Sequence, residues 1–296
     1  MSFQTTVQRP VGAKGVGLHS GVPVSIRLCP AAAGAGIIFV RKDLDDFPIA
    51  ASWKNVTRVS YATSLMRQGV LISTTEHLLS VLYSMQVDNV LIEIDNLEVP
   101  ILDGSGKQFI EILSEAGVKT LHRRREYVRI KEPVSVETTG KRVSIEPADS
   151  FRLTCEVFFD HPLIGQQRLD MELTPGRYAS QIAPARTFGF TDELDKLRDM
   201  GLIRGASEAN AVGFSPEGVV NPGGLRFPDE PCRHKALDLI GDLALLGRPL
   251  LGHVRAERAG HAMHVALVAK IMAHPSVYEV ITMEERVEHA LVAGSR

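Results

Sequence analysis

The reading turns on one stretch, Arg233-His234-Lys235-Ala236-Leu237-Asp238-Leu239-Ile240-Gly241-Asp242. At about 100° per residue, His234, Asp238 and Asp242 fall along one helical stripe at i, i+4 and i+8. Ala236, Leu237, Leu239, Ile240, Leu243 and Ala244 take the opposite side, so a two-faced helix is expected over residues 234–246. An imidazole and a carboxylate one turn apart can grip a single cation from a rigid helix. The competing reading is a solvated amphipathic face with a local His–Asp pair. His-x-x-x-Asp alone is too short to choose between them.

Downstream, Arg255-Ala256-Glu257-Arg258-Ala259-Gly260-His261 puts a histidine just after a glycine, where a helix over residues 260–274 begins. Unpaired backbone N–H groups at a helix start disfavour an imidazolium. Asp242 reverses that if it pairs with His261 and keeps it protonated. His264, three residues on, reads as packing or surface. Upstream, Leu78, Leu79, Val81, Leu82 and Met85 recur at helical spacing over residues 73–85, and Ser73-x-x-Glu76 fits a capping box. A functional alternative makes His77 a third metal ligand, with Glu76 beside the ion as proton acceptor. Two imidazoles and one carboxylate leave a fourth tetrahedral position for water, the composition of a catalytic zinc site rather than a structural one. The usual zincin motif H-E-x-x-H is absent. His19, in the turn Gly17-Leu18-His19-Ser20-Gly21, is a further candidate for a pocket wall, since function gathers on loops.

The chain around these segments has 296 residues, 44% of them hydrophobic and 23% charged, which is globular composition. With 33 basic against 35 acidic side chains, it carries no polycation for a nucleic-acid backbone. Cys29, Cys155 and Cys232 are too widely spaced for a disulfide framework or a C-x-x-C clamp, which favours a reducing compartment. With no secretory pattern at Met1-Ser2-Phe3-Gln4 and no long apolar run, a cytoplasmic protein without a membrane span is expected.

Both halves read as strands followed by helices, hence two α+β layers. In the first half the strands are Val22 to Leu28, Ile37 to Val40 and Val90 to Ile94, with a second helix over 108–116. In the second half they are Tyr127 to Ile130, Val134 to Val136, Val143 to Ile145 and Leu153 to Phe159, with a helix over 191–200. The run His122-Arg123-Arg124-Arg125-Glu126 is taken as a solvated connector. That divides a first α+β domain (1–121) from a second (128–296), with a linker at 122–127. Gly15-Val16-Gly17 lacks the third glycine of a dinucleotide loop, and Gly104-Ser105-Gly106-Lys107 lacks the upstream glycine and the Ser or Thr of a phosphate loop. No Gly-x-Ser-x-Gly elbow is present.

Taken together, the segments resemble the zinc-dependent UDP-3-O-acyl-N-acetylglucosamine deacetylases of lipid A biosynthesis. The resemblance rests on Gly15 to Gly21, Ser73 to Leu79, Ile101-Leu102-Asp103-Gly104-Ser105 and Ala185-Arg186-Thr187-Phe188-Gly189-Phe190. Asn221-Pro222, Gly224-Leu225-Arg226-Phe227, His234 to Asp242 and Ala259-Gly260-His261-Ala262 complete it.

That resemblance implies a two-domain β-α-α-β sandwich, each domain a sheet packed on two helices, with a β-α-β insert at about 190–214 in the second. It implies Zn2+ on His77, His234 and Asp238, Glu76 as general base, and Thr187 as a donor to the oxyanion. His261, oriented by Asp242, would be the acid for the leaving amine. Lys235 and Arg258 would meet the diphosphate, Phe188 would touch substrate, and Phe159, two residues before His161-Pro162, would stack on uracil. The insert would supply an acyl channel through Leu194, Leu197, Met200, Leu202 and Ile203. Met263-His264-Val265 departs from the family, where Asn is often found after the acid histidine. The implied partner is a small molecule, the acylated UDP-sugar, acted on by a monomer. The alternative is another zinc-dependent amidase on the same scaffold.

Overall fold

The computed structural model describes residues 3–282, so the part of the expected second domain beyond 282 lies outside the described residues. Alternation of apolar and polar residues builds two sheets. In the strand Pro23–Pro30, Val24, Ile26 and Leu28 turn inward while Arg27 faces out. This strand pairs antiparallel with Val11–Val16 on one side and Val90–Ile94 on the other. Ile37–Arg41 then runs parallel to Val90–Ile94, and Phe47–Ala50 closes a five-stranded sheet.

In the second half the central strand is Leu250–Glu257. It pairs antiparallel with Lys141–Glu146 and parallel with Phe151–Phe159 and Glu126–Ile130. Val134–Thr138, Gly165–Glu172 and Tyr278–Thr282 complete seven strands. Gly165–Glu172 carries almost no hydrophobic signal because it lies on an edge and exposes Gln166, Arg168, Asp170 and Glu172.

Six α-helices occur among the described residues: α1 (Glu76–Ser84), α2 (Lys107–Ala116), α3 (Pro175–Gln181), α4 (Leu194–Asp199), α5 (Glu230–Leu243) and α6 (His261–Ala273). The architecture is the expected α+β sandwich, with α1 of the first half packed on α5 of the second. Both helices are buried nearly all round, the signature of a middle layer. The polar stripe of α5 is therefore not solvated: His234, Asp238 and Asp242 are all buried.

Helix boundaries depart from the sequence reading for local reasons. The expected capping box does not form, because the Ser73 hydroxyl pairs with Ser64 and the Glu76 carboxylate accepts from Thr63. Helix α3 was not expected, although Thr174-Pro175 carries its signature: the Thr174 hydroxyl accepts from Arg177 and proline takes the first turn. The run at 122–127 is not a solvated connector throughout. Arg125 is 1% exposed and its guanidinium is bound by Asp88 and Gln86. Strand Phe188–Phe190 runs parallel to Val212–Ser215 with α4 between them, giving the β-α-β insert.

One glycine sets how closely the halves approach. A Cβ on Gly241 would lie 2.1 Å from the carbonyl oxygen of Glu76, so α5 touches the start of α1 backbone to backbone. We predict that Gly241→Ala destabilises the fold by about 1–3 kcal/mol, the usual cost of overpacking a filled interior. Thermal denaturation checks this; an unchanged midpoint would mean that the contact is looser than described.

Candidate metal centre and cavity

The first turn of α1 carries Glu76 and His77, both buried, and the Thr63 N–H donates to Glu76 Oε2 at 3.0 Å. From α5 come His234 and Asp238, one turn apart. Ligand atoms of His77, His234 and Asp238 all lie within 4.8 Å of one another. His234 Nδ1–H donates to the Ala185 carbonyl at 3.1 Å, which leaves the Nε2 lone pair facing Asp238 Oδ1 at 3.3 Å. His77 Nε2 stands 3.6 Å from the same oxygen. Asp238 Oδ1 and His77 Nδ1 are buried with no hydrogen-bond partner. Lone pairs converging in a dry interior repel one another unless a cation sits between them, and this donor set suits a divalent ion. Burial, reinforced by His234, pushes His77 down to about 3, so the ring stays neutral, the form that ligates. Burial opposes the charge on Asp238, but the neighbouring Lys235 and imidazoles outweigh it and hold the carboxyl well below the usual range. Lys235 Nζ donates to its other oxygen at 2.9 Å.

One turn along α5, Asp242 gathers a second cluster. Its Oδ2 accepts from His261 Nδ1 at 2.8 Å and from His264 Nδ1 at 2.9 Å, while Oδ1 accepts from the Thr63 hydroxyl at 2.5 Å. These three residues could also surround a cation. Here, however, the facing atoms already satisfy one another. Burial disfavours the His261 cation, yet Asp242 overrides it and raises His261 to about 9. Burial, with help from the Asp238 and Asp242 charges, pushes Glu76 up to about 7. His264, expected to be packing or surface, is buried and also hydrogen-bonded to Asp242. Its i+3 spacing from His261 was the available signal.

Thr187 is fixed through both polar groups of its backbone. Its N–H donates to the Gly104 carbonyl at 2.8 Å and its own carbonyl accepts from Val212 at 2.8 Å. Next to it, buried Arg186 is clamped on Glu230 at the start of α5, Nε to Oε1 2.9 Å.

Glu76, His77, His234, Asp238, His261 and Thr187 all line one cavity of about 770 Å³. Lys235, Phe159, Phe188 and His19 share its wall, as do Leu194, Leu197 and Ile203 of the insert. Phe159 and Phe188 meet edge to face at 5.4 Å. Asp242 lies behind His261 rather than in the wall. Arg258 stands apart: at the end of its strand the backbone turns to φ 54° and sets the exposed guanidinium over Phe158, 5.0 Å from the ring centre. Met200 is 54% exposed and neither it nor Leu202 reaches the cavity. Lys141, which no sequence feature singled out, does.

The family model described as UDP-3-O-acyl N-acetylglycosamine deacetylase matches residues 4–273. A UDP-3-O-acyl-N-acetylglucosamine deacetylase of Solibacter usitatus (strain Ellin6076) is 65% identical over 296 residues, covering 99% of this chain and 100% of the relative. That of Myxococcus xanthus (strain DK1622) is 44% identical over 284 residues, covering 96% of this chain and 90% of the relative. That of Anaeromyxobacter dehalogenans (strain 2CP-C) is 43% identical over 278 residues, covering 94% and 90%. With a family match over nearly its whole length and relatives this similar, the chain belongs to the UDP-3-O-acyl-N-acetylglucosamine deacetylase family.

Proposed function

We propose that this cavity is where UDP-3-O-(3-hydroxyacyl)-N-acetylglucosamine loses its N-acetyl group, with one zinc ion held by His77, His234 and Asp238. Membership of the family gives the reaction, a hydrolytic step of lipid A biosynthesis. The site assignment is carried by three converging lone-pair donors, one of which, Asp238 Oδ1, is buried and unpartnered. When bound, zinc would polarise the acetamide carbonyl and make hydroxide accessible near neutral pH.

The chain's own groups divide the proton work. Glu76 takes a proton from the attacking water; a carboxyl raised to about 7 is matched to that task at neutral pH. His261 gives its Nε2 proton to the departing amine, since its Nδ1 is committed to Asp242. The Thr187 hydroxyl donates to the oxyanion as the carbonyl carbon becomes tetrahedral. Water adds across the C–N bond, releasing acetate and the free amine. Phe159 offers a ring face to uracil, Phe188 borders the sugar and Lys235 offers a cation to the diphosphate. Leu194, Leu197 and Ile203 form the apolar wall for the acyl chain. Arg258 lies outside the lining, so no diphosphate contact is assigned to it.

All the groups needed come from one chain, which supports a monomer. Three cysteines without a disulfide support the cytoplasm as its compartment. Among the described residues no helix is long and apolar enough to cross a membrane. A different zinc amidase on the same scaffold is the alternative reading. Equal turnover of substrates with and without the 3-O-acyl chain would favour it.

We predict that Glu76→Gln keeps one metal ion per chain while kcat falls about 100- to 10,000-fold, the usual weight of a general base. Metal analysis and turnover on the acylated UDP-sugar check this; unchanged turnover would remove Glu76 from the role. His77→Ala is expected to lose both metal and activity. For His261 the acid form is present below about 9 and is lost as pH rises through that value, so the rate declines on the alkaline side. Asp242→Asn removes the charge that raises it, and the alkaline limb of the kcat profile should move to lower pH. A limb that stays in place would contradict the pairing.

A further inference from the structure

We infer that Thr63 is a positioning residue that ties the base and the acid into one unit. The inference rests on the reading of Glu76 as base and His261 as acid. Thr63 is fully buried and is not part of the cavity wall, so it acts through its neighbours. Its polar atoms are engaged in different directions. The N–H donates to Glu76 Oε2 at 3.0 Å. The carbonyl accepts from Thr75 twice, from N at 3.2 Å and Oγ1 at 3.0 Å, fixing the residue that precedes α1. The hydroxyl lies 2.5 Å from Asp242 Oδ1 and 3.2 Å from His261 Nδ1.

The direction of the hydroxyl bond follows from chemistry. An ionised carboxylate only accepts, so Thr63 donates to Asp242, and its oxygen lone pairs are turned to the N–H of His261. Asp242 Oδ2 is shared by two histidines, which alone would let the carboxylate pivot. Thr63 pins the other oxygen and so fixes the plane in which His261 is held. The same residue's backbone fixes Glu76 across the reacting centre. Base and acid are thus set relative to each other by one side chain and the peptide that carries it.

The test uses Thr63→Val, which keeps the shape and removes the hydroxyl, and Thr63→Ser, which restores it. We expect Thr63→Val to lower kcat about 10- to 100-fold, the loss of one hydrogen bond to a charged group. KM should stay within about twofold and metal content should be unchanged, because only an alignment used in the reaction step has gone. Thr63→Ser should recover most of the rate. Combined with Asp242→Asn, Thr63→Val should add little, since both act on one linkage. Four results would overturn the proposal: kcat unchanged in Thr63→Val, failure of Ser to rescue, additive effects with Asp242→Asn, or metal loss, which would make Thr63 structural. Glu76→Gln run alongside separates the two levels: if that variant also keeps its rate, the reading of the base fails, rather than the role of Thr63 alone.

Discussion

Asp238 Oδ1 is a buried acceptor with no donor, faced by the Nε2 atoms of two imidazoles. Leaving such a group unsatisfied costs about 1–3 kcal/mol, and here three lone-pair donors are held together. Such a cluster adds nothing to stability by itself; the divalent ion proposed for it would resolve it. The geometry is possible only because the first turn of α1 meets the last turn of α5. Gly241 permits that meeting by presenting no side chain to the Glu76 carbonyl. The two sheets, the helical middle layer and the long separation of the ligands in sequence all serve this one contact.

In the proposed mechanism Glu76 and His261 take opposite proton tasks. Glu76 and His261 share a dry interior, and burial alone would neutralise both. Glu76 follows that tendency and rises toward neutrality, where a carboxylate becomes a useful base. His261 does not, because Asp242 stands behind it and keeps the cation. The same helix that carries His234 and Asp238, the proposed ligands, also sets Asp242 on His261, two turns from His234. The aromatic and aliphatic wall of the insert then gives the reacting group a sheltered approach.

Much of this was legible in the sequence, and the rest was hidden for identifiable reasons. The i, i+4, i+8 stripe of α5 is a local pattern, so periodicity exposes it directly. That the stripe is buried depends on α1 covering it, which no local window contains. The capping-box reading of Ser73 and Glu76 failed because Thr63, outside the helix, competes for the Glu76 carboxylate. His264 looked like packing since its partner Asp242 lies 22 residues away on another helix. Arg125 looked like a solvated charge until Asp88 and Gln86 enclosed it. Lys141 carries no sequence signal, as its importance comes from what the fold brings beside it.

The most direct test of the central claim is X-ray absorption at the metal edge of the purified protein, with the metal content measured on the same sample. One zinc per chain is expected, with two imidazole nitrogens and a carboxylate oxygen, all at about 2.0–2.2 Å, and no sulfur. A sulfur shell at about 2.3 Å, or a single imidazole, would place the ion elsewhere and contradict the site described.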